Sequence, residues 1–265
     1  LMMLGLPVAF GFLVVAFIGI FILSGEPGLE KLTSSFVRSV ASFSLLPLPL
    51  FVLMGEVMFH SGIAPKMMYA LDSWLGRLPG RLALLAVGSG TLLATLTGNN
   101  MASVAIMGSV LIPDMEKRGY KKPMTLGPIL GSGGLAILIP PSGLAVLVGA
   151  IGEVSIGKIL IGIIIPGLLL ALLYAAYIIV RCWLQPSMAL PYEVSHVSLR
   201  DKMVDTVKYI LPLGFIIFMV VGVIFLGVAT PTEAAASGAF GTFILAAIYK
   251  RLNWQTVKKA LTGTP

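Results

Sequence analysis

LALLAVGSGTLLATLTGNNMASVAIMGSVLIPDME, residues 82–116, decides the fold. It is apolar on both sides of Thr97-Gly98-Asn99-Asn100 and far too long for one membrane crossing, which takes about 20 residues. Read as two arms meeting at Gly98-Asn99-Asn100, each arm has about 15 residues and reaches roughly 23 Å at 1.5 Å per residue. That falls short of a hydrocarbon core of ~30 Å. Arg77 and Arg81 precede the stretch, and Lys117, Arg118, Lys121 and Lys122 follow it. By the positive-inside rule both flanks face the cytoplasm. Two complete crossings would give the same sidedness, so arm length and the polar tip argue for a re-entrant helical hairpin with its tip near mid-membrane.

The next apolar segment, Pro123 to Ala150, is also interrupted, at Ile139-Pro140-Pro141-Ser142. Pro141 has no N–H and disfavours helical geometry at Pro140, so one helix becomes two half-helices. In a bilayer such breaks persist only where protein, water or a ligand satisfies the freed backbone groups. Two breaks so close in sequence predict a binding site built from half-helix ends, as transporters commonly build theirs.

Composition agrees with a membrane protein. Hydrophobic residues make up 57% of the 265 and charged residues 11%, with a mean hydropathy of +1.00; a soluble domain carries about a quarter charged residues. The formal charge of +7 sits in short loops between apolar segments, which argues against nucleic acid. A single cysteine, Cys182, excludes an internal disulfide. The chain begins at Leu1 inside an apolar run with no basic n-region. It therefore reads as a piece of a longer protein.

Leu4 to Leu23 is long enough to span, and Gly25 to Ser44 reads as a polar connector with an interfacial helix. Leu45 to His60 is the next apolar segment. Pro65 to Arg77 places Met67, Met68, Leu71, Trp74 and Leu75 at helical spacing, an amphipathic helix lying in the interface with Trp74 at headgroup level. Spans follow at Lys158 to Val180, Tyr209 to Gly227 and Pro231 to Tyr249, then an amphipathic stretch from Trp254 to Leu261. With this topology only Lys31, Arg38 and Lys158 of the eighteen Lys and Arg fall outside the cytoplasmic segments.

Thr97, Gly98, Asn99, Asn100 and Ser103 offer hydroxyl and amide oxygens, amide N–H groups and close backbone approach. Alkali cations want several oxygens, and a carboxylate wants N–H donors at a helix N-terminus. Gly131-Ser132-Gly133-Gly134 suits close packing against the hairpin; as a phosphate loop it lacks the lysine and the preceding strand. Glu56 and His60, four apart, could share a metal or proton site, but without a third ligand they read as a charge pair at the interface. Glu233 stands in the first turn of a helix, where a carboxylate complements the dipole. No catalytic triad, carboxylate dyad or redox motif occurs, which argues against an enzyme, and no cofactor is expected.

TGNNMASVAIMGSVLIPDMEKRGY at 97–120 and GSGGLAILIPPSG at 131–143 resemble the large membrane subunit of tripartite ATP-independent periplasmic (TRAP) transporters. PLFVLMGEVMFHSGI at 49–63, SIGKILIGIIIPGLLL at 155–170 and ATPTEAAASGA at 229–239 are similar to further stretches of that subunit, in the same order. The resemblance implies an elevator-type, sodium-driven importer of organic acids such as a C4-dicarboxylate in a bacterial or archaeal cytoplasmic membrane. A periplasmic binding protein would deliver the substrate and a small membrane subunit would support the scaffold. Carried over by position, Thr97, Asn99, Asn100, Ser103, Pro141 and Ser142 would contact substrate. Gly98, Asn99, Asn100, Ser103, Ile139 and Pro140 would hold sodium, partly through backbone carbonyls. The tip departs from the family's commoner Ser-Gly-Ser-Ser: amide oxygens stand where hydroxyls would, with extra donors and bulk.

The expected fold is thus an all-α polytopic membrane protein with a re-entrant hairpin (82–116) and a discontinuous helix (123–150), part of an inverted-repeat elevator-type ion transporter. Residues 1–60 would be scaffold, 61–81 a connecting arm, and 82–184 the transport unit, including a helix at 158–183. Residues 185–208 would be a cytoplasmic loop and 209–265 the start of a second scaffold repeat. Pro231–Tyr249 with Trp254–Leu261 would mirror Pro7–Leu23 with the 28–44 connector, making the chain about the N-terminal three-fifths of the subunit. A direct sodium/dicarboxylate symporter of related architecture is the alternative, discriminated by its independence of a periplasmic protein.

Overall fold

The computed structural model describes residues 8–76, 78–97, 100–189 and 198–263, and among them every regular element is helical. By compactness the chain divides into residues 1–45 and 46–265. The first unit holds α1 (Val8–Val40) and a 3-10 turn at Phe43–Leu45; α1 is broken at Gly25, whose φ of 62° and ψ of −150° only glycine adopts readily. Pro27, with no N–H to donate across the break, keeps the two parts from merging into one regular helix. The apolar part ends near the expected position. Phe10, Phe12, Phe17, Phe21 and Leu23 are exposed.

The second unit begins with α2 (Pro47–His60) and α3 (Ile63–Leu75). The hairpin follows as α4 (Arg81–Thr97) and α5 (Asn100–Lys117). Their 17 and 18 residues exceed the expected 15, because helical geometry runs through Arg81 and Lys117 at the charged ends. The arms reach about 26 and 27 Å, so the shortfall against ~30 Å is smaller than the sequence suggested.

The discontinuous helix comprises α6 (Lys122–Gly133), α7 (Leu135–Leu138) and α8 (Gly143–Ile151), with a bend of 40° between the part before the Pro-Pro break and the part after it. A smaller step at Gly134, not foreseen from sequence, separates α6 from α7: its N–H bonds back to Gly131 O at 3.1 Å, a tighter turn than the α-helix. Next come α9 (Ile156–Gly162) and α10 (Ile164–Leu184). Pro166 leaves the Gly162 carbonyl without its usual donor, which accounts for the step at Ile163.

Helix resumes at Leu199, ten residues before Tyr209, so the segment expected as loop to residue 208 is helical in its last part. Ser198 starts it by accepting from Arg200 N at 3.3 Å. α11 (Leu199–Asp205), a π turn (Thr206–Ile210), α12 (Leu211–Ile217), a second π turn (Phe218–Gly222) and α13 (Val223–Phe225) run on without interruption. Pro212 explains the first π turn. It cannot donate to Lys208 O four residues back; Leu211 N–H bonds five residues back to Thr206 O, and the Tyr249 hydroxyl donates to the freed Lys208 carbonyl.

The chain ends with α14 (Pro231–Ile248) and α15 (Trp254–Gly263). Glu233 closes a capping box: Thr230 N–H donates to its Oε2 at 2.8 Å, and Glu233 N–H donates to Thr230 Oγ1 at 3.3 Å. α14 packs on α2 through small residues. A Cβ at Gly238 would meet Met54 Sδ at 3.0 Å, and Ala234, Ala235, Ala239 and Ala246 are buried on the same face. Small residues let helix backbones approach.

Among the described residues four helices are long and apolar enough to cross a membrane: Phe10–Arg38, Phe43–His60, Ile156–Leu184 and Leu199–Phe225. Lys122–Leu138 with Gly143–Ile151 makes a fifth if the bent pair is one span. α14 forms as expected but is not among the four, its first half being rich in small and polar residues. These helices make the chain a multi-pass membrane protein.

Candidate functional site

The hairpin arms stop and restart at the anticipated place: α4 ends at Thr97 and α5 starts at Asn100, while Gly98 and Asn99 lie outside the described residues. The arms pack on each other and both pack on α6 and α7. The glycine-rich run makes this approach possible. A Cβ at Gly133 would collide with Asn100 Oδ1 and Val104 Cγ2. One at Gly90 would lie 2.6 Å from Ser132 Cβ and 3.0 Å from Met107 Sδ. Ser132 and Ser103 are fully buried in this layer; Asn100 is exposed.

Every residue of the break, Ile139, Pro140, Pro141 and Ser142, is buried. Ile139 and Ser142 have extended backbones, and Ser142 caps α8, its Oγ accepting from Ala145 N at 3.4 Å. α8 then leaves the hairpin and packs on α2 and α9. The break is therefore where the chain passes from the hairpin layer to α2. It offers backbone carbonyls on one side and the orphan N–H groups of an α-helix start on the other. A cation can use the first and a carboxylate the second.

The structure seats Asn100 against Gly133, six residues before Ile139, while α7, which leads into the break, lies on both arms. Asn100, Gly133 and α7 thus belong to one packed layer, and the break follows directly from α7. No residue of 97–103 or 139–142 is titratable, so any charge this layer binds is met by neutral oxygens, N–H groups and helix ends. Among the described residues, cavities lie elsewhere: one of about 390 Å³ at the base of the hairpin, bordered by Asp72, Asp114, Lys117 and Arg118, and an apolar groove of about 400 Å³ between α12 and α14. Neither is bordered by tip or break residues.

Two features of the neighbourhood were missed from sequence. Gly167 of α10 backs the break so closely that a Cβ there would lie 2.6 Å from Leu138 O and 2.8 Å from Ile139 Cγ1. A glycine beside Pro166 within an apolar span was the available signal. The second is Arg81, whose guanidinium grips Asp72 at the far end of α3: Nε and Nη2 donate to Oδ1 and Oδ2, both at 2.7 Å, and Nη2 donates to Asp72 O at 2.9 Å. The fork spans a turn flanked by Gly76 and Gly80 at positive φ. Opposite charges on either side of a Gly/Pro-rich turn were its signal.

The remaining candidates resolve locally. His60 Nε2 lies 3.3 Å from Glu56 Oε2, and among the described residues no group of three or more His, Cys, Asp or Glu could hold a metal. α3 is amphipathic as expected, but its apolar face covers protein rather than lipid. Met67 and Met68 are fully buried, and α3 packs on α4 and on the first π turn. Trp74 is half-exposed and its indole N–H donates to Thr206 Oγ1 at 2.8 Å. Cys182 is buried beside Met124, Sγ to Sδ 3.9 Å.

A family model described as "Tripartite ATP-independent periplasmic transporter, DctM component" matches residues 1–265. The isethionate TRAP transporter permease protein DctMQ of Oleidesulfovibrio alaskensis is 32% identical over 252 residues, 94% of this chain and 39% of that protein. The C4-dicarboxylate TRAP transporter large permease protein DctM of Pseudomonas aeruginosa is 31% identical over 248 residues, 90% of this chain and 57% of that one. The ectoine TRAP transporter large permease protein TeaC of Halomonas elongata is 31% identical over 238 residues, covering 89% and 55%. The chain thus spans 39% to 57% of the length of these three relatives.

Proposed function

The chain belongs to the DctM component of the tripartite ATP-independent periplasmic transporters, and from that membership and the site's geometry we propose that it forms half of a sodium-coupled import site for a small organic acid. The observation that carries the reading is the packed layer in which α7 runs along both hairpin arms into the buried Ile139–Ser142 break. Sodium is held by oxygens of Gly98, Asn99, Asn100 and Ser103 together with carbonyls of Ile139 and Pro140. The substrate carboxylate meets Thr97, Asn99, Asn100, Ser103, Pro141 and the α8 start at Ser142. Sodium fits better than a proton as coupling ion, because neither segment carries a titratable side chain.

The hairpin is re-entrant from the cytoplasm, and residues 82–184 move as the transport unit on an arm at 61–81 against scaffold helices from 1–60 and 209–265. This elevator motion uses the glycine-flanked joint at Gly76–Gly80, pinned by Asp72 and Arg81. The membrane is the bacterial inner membrane. A periplasmic protein hands over the acid, a small membrane subunit braces the scaffold, and the other half of the site comes from outside this sequence. C4-dicarboxylates are the first acids to try, since two relatives are named for them; others are named for isethionate and ectoine.

The test is uptake by the complete transporter in liposomes, with and without a sodium gradient and the cognate periplasmic protein, comparing wild type with Asn99→Ala/Asn100→Ala. The reading expects uptake that needs both and is lost in the variant. Sodium-driven uptake without the periplasmic protein would assign a direct symporter instead, and full activity of the variant would remove the tip from the site.

A further inference from the structure

We propose that Lys66, Lys202 and Lys208, framed by Trp74, Tyr209 and Tyr249, bind the headgroup phosphate of an anionic phospholipid of the cytoplasmic leaflet. The inference rests on the cytoplasmic placement of this end of α11 in the reading above. Lys66 and Lys208, from distant parts of the sequence, meet at one ring, and Lys202 stands over a second ring on the same seam between α3 and the π turn. Lys66 comes from the arm helix α3, Lys202 from α11, and Lys208 from the π turn. Lys66 Nζ and Lys208 Nζ lie 5.6 and 5.4 Å from the centroid of the same ring, Tyr209. Lys202 Nζ lies 5.9 Å from the Trp74 ring.

Lysines at a helix end ordinarily splay toward water, whereas these are gathered by fixed structure. The Trp74 indole donates to Thr206, tying the arm to the π turn. Tyr249 stacks on Tyr209 with centroids 6.0 Å apart and donates its hydroxyl to the Lys208 carbonyl that Pro212 leaves free. A π turn is itself a form concentrated at functional sites. Yet among the described residues no carboxylate lies within ion-pairing distance of any of the three lysines, Asp201 and Asp205 of α11 included. Two ammonium groups held at one ring repel each other, and an anion bound between them would relieve that repulsion. Trp and Tyr rings place the cluster at headgroup level, where the cytoplasmic leaflet presents anionic lipid to basic residues. A bound phosphate there would join the arm to the start of α11.

The test uses the complete transporter with its small membrane subunit in phosphatidylcholine nanodiscs containing phosphatidylglycerol, with retained phosphatidylglycerol measured by native mass spectrometry. Each lysine near an anionic surface strengthens binding about fivefold, so Lys66→Gln/Lys202→Gln/Lys208→Gln should weaken retention about 100-fold. Arginine at the same three positions should restore it. Lys121→Gln/Lys258→Gln/Lys259→Gln, which removes equal charge from other cytoplasmic segments, should retain lipid like wild type. Equal retention in the glutamine variant, or equal loss in the charge control, would overturn the proposal. So would displacement of the lipid by inorganic phosphate at matching concentration, which marks a free-anion site, or photo-cross-links from position 66 to the small subunit in place of lipid. Assembly with the small subunit, checked by size exclusion, separates misfolding from lost binding. Retention is read without transport, so failed uptake by wild type would refute the transport reading and not this one.

Discussion

Gly167→Ala puts the packing of the break to a direct test. An alanine Cβ would stand 2.6 Å from Leu138 O and 3.0 Å from Leu138 C, where ordinary van der Waals contact begins at 3.4 Å. The obstructing atoms are backbone, so no rotamer change relieves the clash, and α10 or the break must move by most of an ångström. Overpacking of this kind costs about 1–3 kcal/mol. Gly162→Ala, four residues before Pro166 on the same span, meets nothing within 4 Å and should be neutral. Thermal unfolding of the purified transporter in one detergent, followed by uptake in liposomes, reads both consequences. Gly167→Ala should lower the midpoint by a few degrees and reduce uptake more than that loss of stability explains, because the break itself shifts. Wild-type stability and uptake for Gly167→Ala would show that α10 does not back the break as described.

Three further outcomes follow from particular contacts. Asp72→Asn takes the Asp72 carboxylate charge from the Arg81 guanidinium, 7% exposed; a loss of about 2 kcal/mol is expected in thermal unfolding, between surface and buried ion-pair values because Asp72 is partly exposed. Ser142→Ala removes the cap of α8 and should cost about 1 kcal/mol, with Ser142→Asn restoring the stability and so separating capping from any substrate contact read by uptake. Trp74→Phe and Thr206→Val each break the same hydrogen bond, worth about 1 kcal/mol. Their double variant should be hardly less stable than either single one, and additive losses would show that the bond is not shared.

The breaks were legible because their chemistry is local. Pro140-Pro141 cannot continue a helix whatever surrounds it, and Gly98-Asn99-Asn100 is polar where both neighbours are apolar, so α4, α5, α7 and α8 end where the sequence indicated. The glycine run at 131–134 likewise announced close approach, and Gly90 and Gly133 show against what. The start of α11 was not legible: Arg200, Asp201, Lys202 and Asp205 look like loop to a hydropathy reading, although a charged helix end standing clear of the apolar layer has that composition. The direction of the arm's apolar face was hidden too. Periodicity reveals that Met67 and Met68 share a face, not whether lipid or α4 covers it. Gly167 and the Asp72–Arg81 fork depend on chain segments meeting across space, which spacing alone does not encode.

The most direct test of the proposed site is the sodium-concentration dependence of acid uptake by the complete transporter, comparing wild type with Asn100→Ala and Ser103→Ala. Losing one ligand oxygen worth about 1.4 kcal/mol should raise the half-saturating sodium concentration about tenfold in each variant. The maximal rate should be recoverable at high sodium. An unchanged sodium dependence in both variants, with protein assembled as in wild type, would contradict the account and place the coupling ion elsewhere.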